Sequence, residues 1–228
     1  MDFKVFDLGP VAFLKAWQFQ KDIVAQVRNG GIAGALIICR HYPVITLGRL
    51  ARPDNILISC SELNKRNISV YEIERGGDVT YHGPGQITVY PIFDLNYLLK
   101  DIRVFLRQLE AVAIDLLSDF GISGIRYPGS TGVWVEKNKI ASIGIAIKNW
   151  ITYHGLSINI KTNDLANFGL IKPCGTDIKM TSLESVLGRH IEIEDLKASI
   201  ICKFRERFQF AQLLVPQNAG QQGSLKEA

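Results

Sequence analysis

Several things are scarce in this 228-residue chain, and each scarcity closes off a class of protein. No apolar run approaches the ~18 residues that a membrane span requires. Ile32 to Cys39 is about the longest, and it stops at Arg40. The opening residues, Met1-Asp2-Phe3-Lys4, lack the basic start and apolar stretch of a secretory signal, so the expectation is a cytoplasmic protein without a membrane partner. Only four cysteines occur, at 39, 60, 174 and 202, and none forms a C-x-x-C pair. That argues against a zinc cluster or a disulfide framework and fits a reducing compartment, so no metal is expected. Charge of one sign is also in short supply. Against 22 acidic residues stand 26 Lys and Arg, and the excess of +4 is too small to point to nucleic acid.

What is present is enough to build one ordinary domain. Hydrophobic residues make up 47% of the chain and charged residues 21%, sufficient for a full core. Pro10 to Arg28 predicts a helix, with Phe13, Trp17, Val24 and Val27 at helical spacing and Asn29-Gly30-Gly31 ending it. Ile32 to Cys39 reads as a buried strand, and Val44 to Leu47 as a short one after His41-Tyr42-Pro43. Ser59-x-x-Glu62 has the form of a capping box for a short helix to Asn67. Ile68 to Glu74 and Gln86 to Phe93 read as strands around a glycine-rich stretch. Ile102 to Phe120 is the clearest helix, closed by Gly121. Gly132 to Ile160 predicts an antiparallel meander broken at Lys137-Asn138 and Lys148-Asn149, and Glu194 to Phe208 a last helix. Pro216 to Ala228 is a polar tail. Clustered strands with interspersed helices favour a single α/β or α+β domain on a mixed sheet flanked by helices.

The densest chemistry lies in Arg75-Gly76-Gly77-Asp78-Val79-Thr80-Tyr81-His82-Gly83-Pro84-Gly85-Gln86. Glycines let backbone approach a ligand closely, and consecutive N–H groups in such a loop cradle a carbonyl oxygen or an anion. An elaborate turn would use some of these residues, though two glycines usually suffice. The stretch is neither a P-loop nor a G-x-G-x-x-G fingerprint.

A second candidate is Cys174, between Pro173 and Gly175 and so on a loop, whereas Cys39 and Cys202 sit in apolar strand and helix patterns and read as core thiols. Cys174 is either structural or a nucleophile. At a pKa of ~8.5 only about 3% of a thiol is thiolate at pH 7, so a nucleophile needs a helper. His82, His154 and Lys139 are the candidates. Lys139 opens a strand of small and apolar residues, or simply closes a hairpin after Asn138; His154-Gly155-Leu156 reads as the end of a strand segment.

Four segments in this order resemble the lipoyl(octanoyl) transferases, the octanoyl-[acyl-carrier-protein]:protein N-octanoyltransferases that start lipoate synthesis. They are His41-Tyr42-Pro43-Val44 through Leu47-Gly48-Arg49; Arg75 through Gln86, on to Tyr90-Pro91; Gly132-Val133-Trp134 through Lys139 to Gly144 and then His154-Gly155-Leu156; and Pro173-Cys174-Gly175. The resemblance implies the fold of the biotin and lipoate protein ligase catalytic domains over residues 1–215. It implies that octanoate passes from octanoyl-acyl carrier protein to Cys174 as a thioester. From there it passes to a lysine on lipoyl domains of 2-oxoacid dehydrogenase complexes and glycine cleavage H protein. Lys139 then lowers the Cys174 pKa, and substrate contacts fall on Arg75, Gly76, Gly77, Asp78, Val79, Thr80, Tyr81, His82, Ser142, Ile143, Gly144, Gly155, Leu156 and Ser157. No cofactor and no ATP are expected, because the donor brings its own activated thioester. The octanoyl substrate that the resemblance implies, together with apolar Val79, Ile143, Ile145 and Leu156 beside these residues, leads us to expect a closed tunnel measuring about eight carbons. A lipoate or biotin ligase using ATP and a non-catalytic acyl-binding protein are the competing readings; the Pro-Cys-Gly thiol and the His82-Gly83-Pro84-Gly85 loop weigh against the first, and the Cys174 and Lys139 pair against the second.

Overall fold

Two sheets, where the sequence pointed to one, carry the strands. The computed structural model describes residues 3–172 and 178–208. Along the chain the strands are β1 (Lys4–Val11), β2 (Gly34–His41), β3 (Val44–Leu47), β4 (Ser69–Glu72), β5 (Val79–His82), β6 (Gln86–Phe93), β7 (Val133–Val135), β8 (Asn138–Lys148) and β9 (Ile151–Asn159). The helices are α1 (Phe13–Arg28), α2 (Cys60–Lys65), α3 (Ile102–Ser118), α4 (Leu183–Leu187) and α5 (Glu194–Arg207). Six strands pair in the order β1-β2-β6-β9-β8-β7 and three in the order β4-β3-β5. In the large sheet β1 runs parallel to β2 and the other neighbours are antiparallel, so it is mixed as expected. The small sheet arises because β3, just past the Tyr42-Pro43 turn, pairs with β4 and β5 instead of continuing in the plane of β2.

The large sheet is covered on both faces. Leu36, Ile38, Ile87, Val89, Leu156 and Ile158 point to the side of α3 and α5. Ala35, Ile37, Ile92 and Tyr153 point to the side of α1, whose Ala16, Ile23 and Val27 meet them. Helix α3 starts where the Asp101 carboxylate accepts from the Arg103 and Val104 N–H groups, at 2.7 and 3.1 Å, and ends before Gly121 at φ +71°. Ser59 caps α2 by accepting from the Glu62 N–H at 3.2 Å, as the motif predicted. No helix among the described residues is long and apolar enough to cross a membrane.

Three local expectations are corrected. Helix α1 begins at Phe13 and not Pro10, because Gly9 and Pro10 belong to β1. A proline without an N–H is tolerated there since β1 is an edge strand, and Gly9, at φ +56°, absorbs a register slip. Cys202 is exposed, not a core thiol. The buried face of α5 is Leu196, Ile200 and Phe204, spaced by four, and Cys202 lies off that stripe, where its thiol donates to Glu206 at 3.3 Å.

His154 sits inside β9, not at its end. Its φ of +56° takes its N–H out of the ladder, where the Gln20 side-chain oxygen of α1 accepts it at 2.7 Å. The cause lies across the sheet. Pro91 has no N–H to offer in a central strand, so β6 and β9 pair regularly only from Gln86 to Val89. Beyond that, the Thr152 hydroxyl bridges the strands, donating to the Pro91 carbonyl at 2.7 Å and accepting from the Phe93 N–H at 3.0 Å.

Candidate active site

The glycine-rich stretch is tied down by backbone. Arg49 and Leu50 donate their N–H groups to the carbonyls of Arg75 and Gly77 at 3.0 and 3.1 Å, and Gly48 donates to Asp78 at 3.2 Å. On its other side Gly76 donates to Ile145 of β8 at 2.8 Å, so the stretch is strapped between the two sheets. Gly48 is required by that approach: a Cβ there would collide with the Gly77 carbonyl oxygen and stand 2.8 Å from the Arg75 guanidinium. Gly77, at φ +85°, needs the freedom of glycine in its own right.

Side chains complete the strap. The buried Arg75 guanidinium donates to the Thr46 carbonyl at 2.7 Å, to the Thr46 hydroxyl at 3.0 and 3.2 Å, and to the Gly76 carbonyl at 3.1 Å. The Asp78 carboxylate accepts from the Val79 N–H at 2.7 Å and from the Asn55 side-chain amide.

Alternation along β5 separates its residues. Thr80 and His82 line a cavity, whereas the Tyr81 ring packs with Ile45, Leu63 and Leu170. The Tyr81 hydroxyl donates to Asp164 at 2.9 Å and accepts from Asn167 at 2.9 Å. Tyr81 is the expected contact, among the described residues, that does not reach the cavity. His82 contacts Gln86 at 3.2 Å, and the same Gln86 oxygen accepts from the Ser157 hydroxyl at 2.6 Å. Burial pushes His82 well below its ordinary pKa, and the neighbouring His41 and Arg75 act in the same direction. Burial also lowers His154, against the opposing pull of Glu74. Imidazoles so disfavoured as cations are weak proton acceptors at neutral pH, which leaves Lys139 the strongest of the three candidate helpers.

Lys139 is the second residue of β8 and half-buried. Its ammonium donates to the Thr131 carbonyl at 3.0 Å and lies 4.9 Å from the centroid of the Trp134 ring. Its backbone joins β8 to the segment leaving residue 178: the Lys139 N–H donates to Lys179 at 2.8 Å and its carbonyl accepts from Thr181 at 2.9 Å. Pro173, Cys174 and Gly175 lie outside the described residues, as does the tail from 209 onward. On one side of that segment the Lys172 N–H bonds to the Asn55 carbonyl at 2.8 Å, and on the other Ile178 lines the cavity.

The cavity measures about 620 Å³, within the range of small-molecule sites. It brings together Lys139 with Arg75, Gly76, Gly77, Asp78, Val79, Thr80 and His82 from the strap and β5. Ser142, Ile143, Gly144 and Ile145 of β8 join them, with Gly155, Leu156 and Ser157 of β9. Three segments far apart in sequence thus share one hollow, and Val79, Ile143, Ile145 and Leu156 all border it. Among the described residues no group of His, Cys, Asp and Glu could hold a metal ion.

Residues 12–205 match the model of the lipoyl protein ligase A/B catalytic domain. An octanoyltransferase of Thermoanaerobacter sp. is 43% identical over 207 residues, covering 90% of each chain. The chain belongs to the lipoyl protein ligase A/B family. Within it the chain goes with the octanoyltransferases, which are acyltransferases. The bipartite lipoate protein ligase of Thermoplasma acidophilum has the same fold, with a TM-score of 0.70 at 14% identity over 91% of this chain and 84% of that one. The biotin protein ligase of Aquifex aeolicus is more distant, at a TM-score of 0.51 and 9% identity over 91% and 69% of the chains.

For this octanoyltransferase-family chain, sequence reading missed some of the cavity. Thr131 and Trp134, beside Lys139, and Thr88 and Tyr90 of β6 also line it. The signal for the loop was the Ser130-Thr131-Gly132 run just before the meander, and Trp134 and Tyr90 stood in the segments that carry the resemblance; Thr88 gave none beyond strand alternation.

Proposed function

We propose that the chain transfers an octanoyl group from octanoyl-acyl carrier protein to a lysine of lipoyl domains, through a thioester on Cys174. The acceptors are the lipoyl domains of 2-oxoacid dehydrogenase complexes and glycine cleavage H protein. The observation that carries this reading is the single cavity holding Lys139 together with the Arg75–His82, Ser142–Gly144 and Gly155–Ser157 segments. Cys174 is four residues from Ile178 on its border.

In the first half-reaction the Cys174 thiolate attacks the thioester carbonyl, and the tetrahedral intermediate collapses by expelling the carrier's thiolate, which takes the Lys139 ammonium proton and leaves Lys139 neutral. In the second, the acceptor amine attacks the Cys174 thioester. It gives up a proton, for which Lys139 in its neutral form is the acceptor, and the thiolate of Cys174 leaves as the amide forms. An ammonium near Cys174 stabilises the thiolate; a drop of ~1.5 pKa units would raise the thiolate fraction to about half at pH 7. Thioester exchange is nearly isoenergetic and aminolysis runs downhill, so the proposed reaction takes no ATP and no other cofactor. The N–H groups of Gly77 and of Gly175 are candidate donors to each oxyanion, the Gly76 N–H being held by Ile145.

The apolar border residues serve as a ruler. Each buried methylene gains ~0.8 kcal/mol, so a passage open at its far end would favour ever longer chains. Preference for eight carbons therefore needs an end wall. The test is transfer to a lipoyl domain from carrier protein loaded with chains of four to sixteen carbons, without ATP, alongside free octanoate with ATP. The expected result is a peak of kcat/KM at eight carbons from the thioester donor. A monotonic rise to sixteen carbons removes the wall, and transfer only from octanoate and ATP makes the protein a ligase.

A further inference from the structure

Helix α3 carries a carboxylate that its own apolar stripe has no use for. Glu110 stands beside Leu109 and one turn from Leu106 and Ala113, and its side chain is 1% exposed. One of its oxygens takes both guanidinium groups in reach, Arg107 at 2.7 Å and Arg126 at 2.9 Å. The other oxygen, Oε1, accepts the N–H of Gly132 at 3.1 Å. The carbonyl of that same peptide unit, belonging to Thr131, accepts the Lys139 ammonium at 3.0 Å. A trans peptide points its N–H and C=O in opposite directions, so the Thr131–Gly132 peptide spans the gap between Glu110 and Lys139 with an anion at one end and a cation at the other.

We propose that Glu110 is a positioning residue for Lys139, acting through the Thr131–Gly132 peptide. The carboxylate fixes that peptide's rotation, and the carbonyl it aims in turn fixes the ammonium. The arrangement also polarises the peptide, making the carbonyl a better acceptor for the charged form of Lys139. Gly132 is shaped for the task. It sits at φ +138°, and a Cβ there would stand 2.6 Å from both Lys139 Cε and the Ala141 carbonyl oxygen. Arg107 and Arg126 hold the buried carboxylate in place; an uncharged amide at 110 would set an NH₂ either against two guanidinium donors or against the Gly132 N–H. The inference rests on the reading of Lys139 as the partner of Cys174.

The test follows alkylation of the Cys174 peptide by iodoacetamide against pH, using mass spectrometry, in the wild-type protein and in Lys139→Ala, Glu110→Gln and Gly132→Ala. Loss of a charge-assisted hydrogen bond predicts an alkylation rate about tenfold lower at pH 7 in Glu110→Gln, with the midpoint moved upward in the same sense as in Lys139→Ala. In steady state the octanoyl donor's KM should stay within about twofold while kcat falls about tenfold. Gly132→Ala leaves Glu110 and both arginines intact and displaces the same peptide, so it should move the midpoint the same way even if Glu110→Gln fails to fold. A purely structural Glu110 would lower the folded fraction without moving the midpoint. If Lys139→Ala shifts the profile while the folded variants at 110 and 132 overlay the wild type, the positioning role is overturned and the reading of Lys139 stands. If Lys139→Ala itself overlays the wild type, that reading fails, and this inference with it.

Discussion

The two halves of the cavity wall are held together by different means. On the sheet half, β8 and β9 keep a continuous register from Ala141 opposite Ile158 to Lys148 opposite Ile151. On the strap half, Arg75 to Asp78 belong to no strand. They rest on backbone bonds to residues 48–50 and to Ile145, and on the side chains of Thr46 and Asn55. A ladder is specified by neighbours along its own strands, whereas the strap's side-chain partners, Thr46 and Asn55, are 29 and 23 positions away. Damage to the first should appear as lost stability, and damage to the second as lost activity in a protein that still folds.

The sharpest break comes from the sheet half. A Cβ on Gly155 would strike the Val89 carbonyl oxygen and lie 2.7 Å from Pro91 Cδ, and backbone cannot yield as a flexible side chain does. Gly155→Ala should cost roughly 3 kcal/mol or more, lowering Tm by on the order of 10 °C, read by calorimetry.

Acid should act next, through the buried imidazoles of β2, β5 and β9. Burial holds His41 down to about 4 from its ordinary 6.5, partly opposed by the Val11 carbonyl. The folded protein therefore keeps it neutral where the unfolded chain would protonate it. The unfolded state binds more protons between those two values, so the contribution is complete above 6.5 and is lost as pH falls toward 4. For His41 alone this amounts to roughly 3 kcal/mol at pH 4, and His82 and His154 shift in the same direction. Urea unfolding should show the midpoint falling between pH 7 and 4.5, with a shallower slope in His41→Gln.

The strap half is tested by Thr46→Val, which removes the hydroxyl from Arg75 and leaves the carbonyl contact at 2.7 Å. Stability should fall by only about 1 kcal/mol, while the donor's KM rises about fivefold. Equal losses in Tm from Thr46→Val and Gly155→Ala would erase the distinction between the halves. The smallest effect belongs to Cys60→Ser and Cys202→Ser, both exposed thiols, which should change stability by less than ~0.5 kcal/mol and leave transfer unchanged.

The same difference explains what the sequence made legible. Helices α3 and α5, strands β3 and β6 and the meander could be read because periodicity and capping are local: Asp101 caps α3, and β6 runs from Gln86 to Phe93 as expected. Strand β1 was missed because Gly9 and Pro10 look like punctuation until the edge position of the strand is known. β5 was hidden inside the glycine-rich stretch, because Gly76 and Gly77 before it and Gly83, Pro84 and Gly85 after it read as loop. Most expected contacts meet in the cavity because their motifs lie on elements that the fold must bring together. Tyr81 shows the limit: the motif marks a residue, and only strand alternation tells which way it faces. Glu110 and Thr46 act through pairings 22 and 29 residues distant, which no local pattern encodes.

The central claim, a thioester on Cys174 served by Lys139, is tested most directly by mass analysis after mixing the protein with octanoyl carrier protein in the absence of acceptor and ATP. The expected result is one octanoyl group per chain, labile to hydroxylamine and mapped to Cys174, forming at least about tenfold more slowly in Lys139→Ala. An octanoyl adduct on another residue, or full transfer activity in Cys174→Ser, would contradict it.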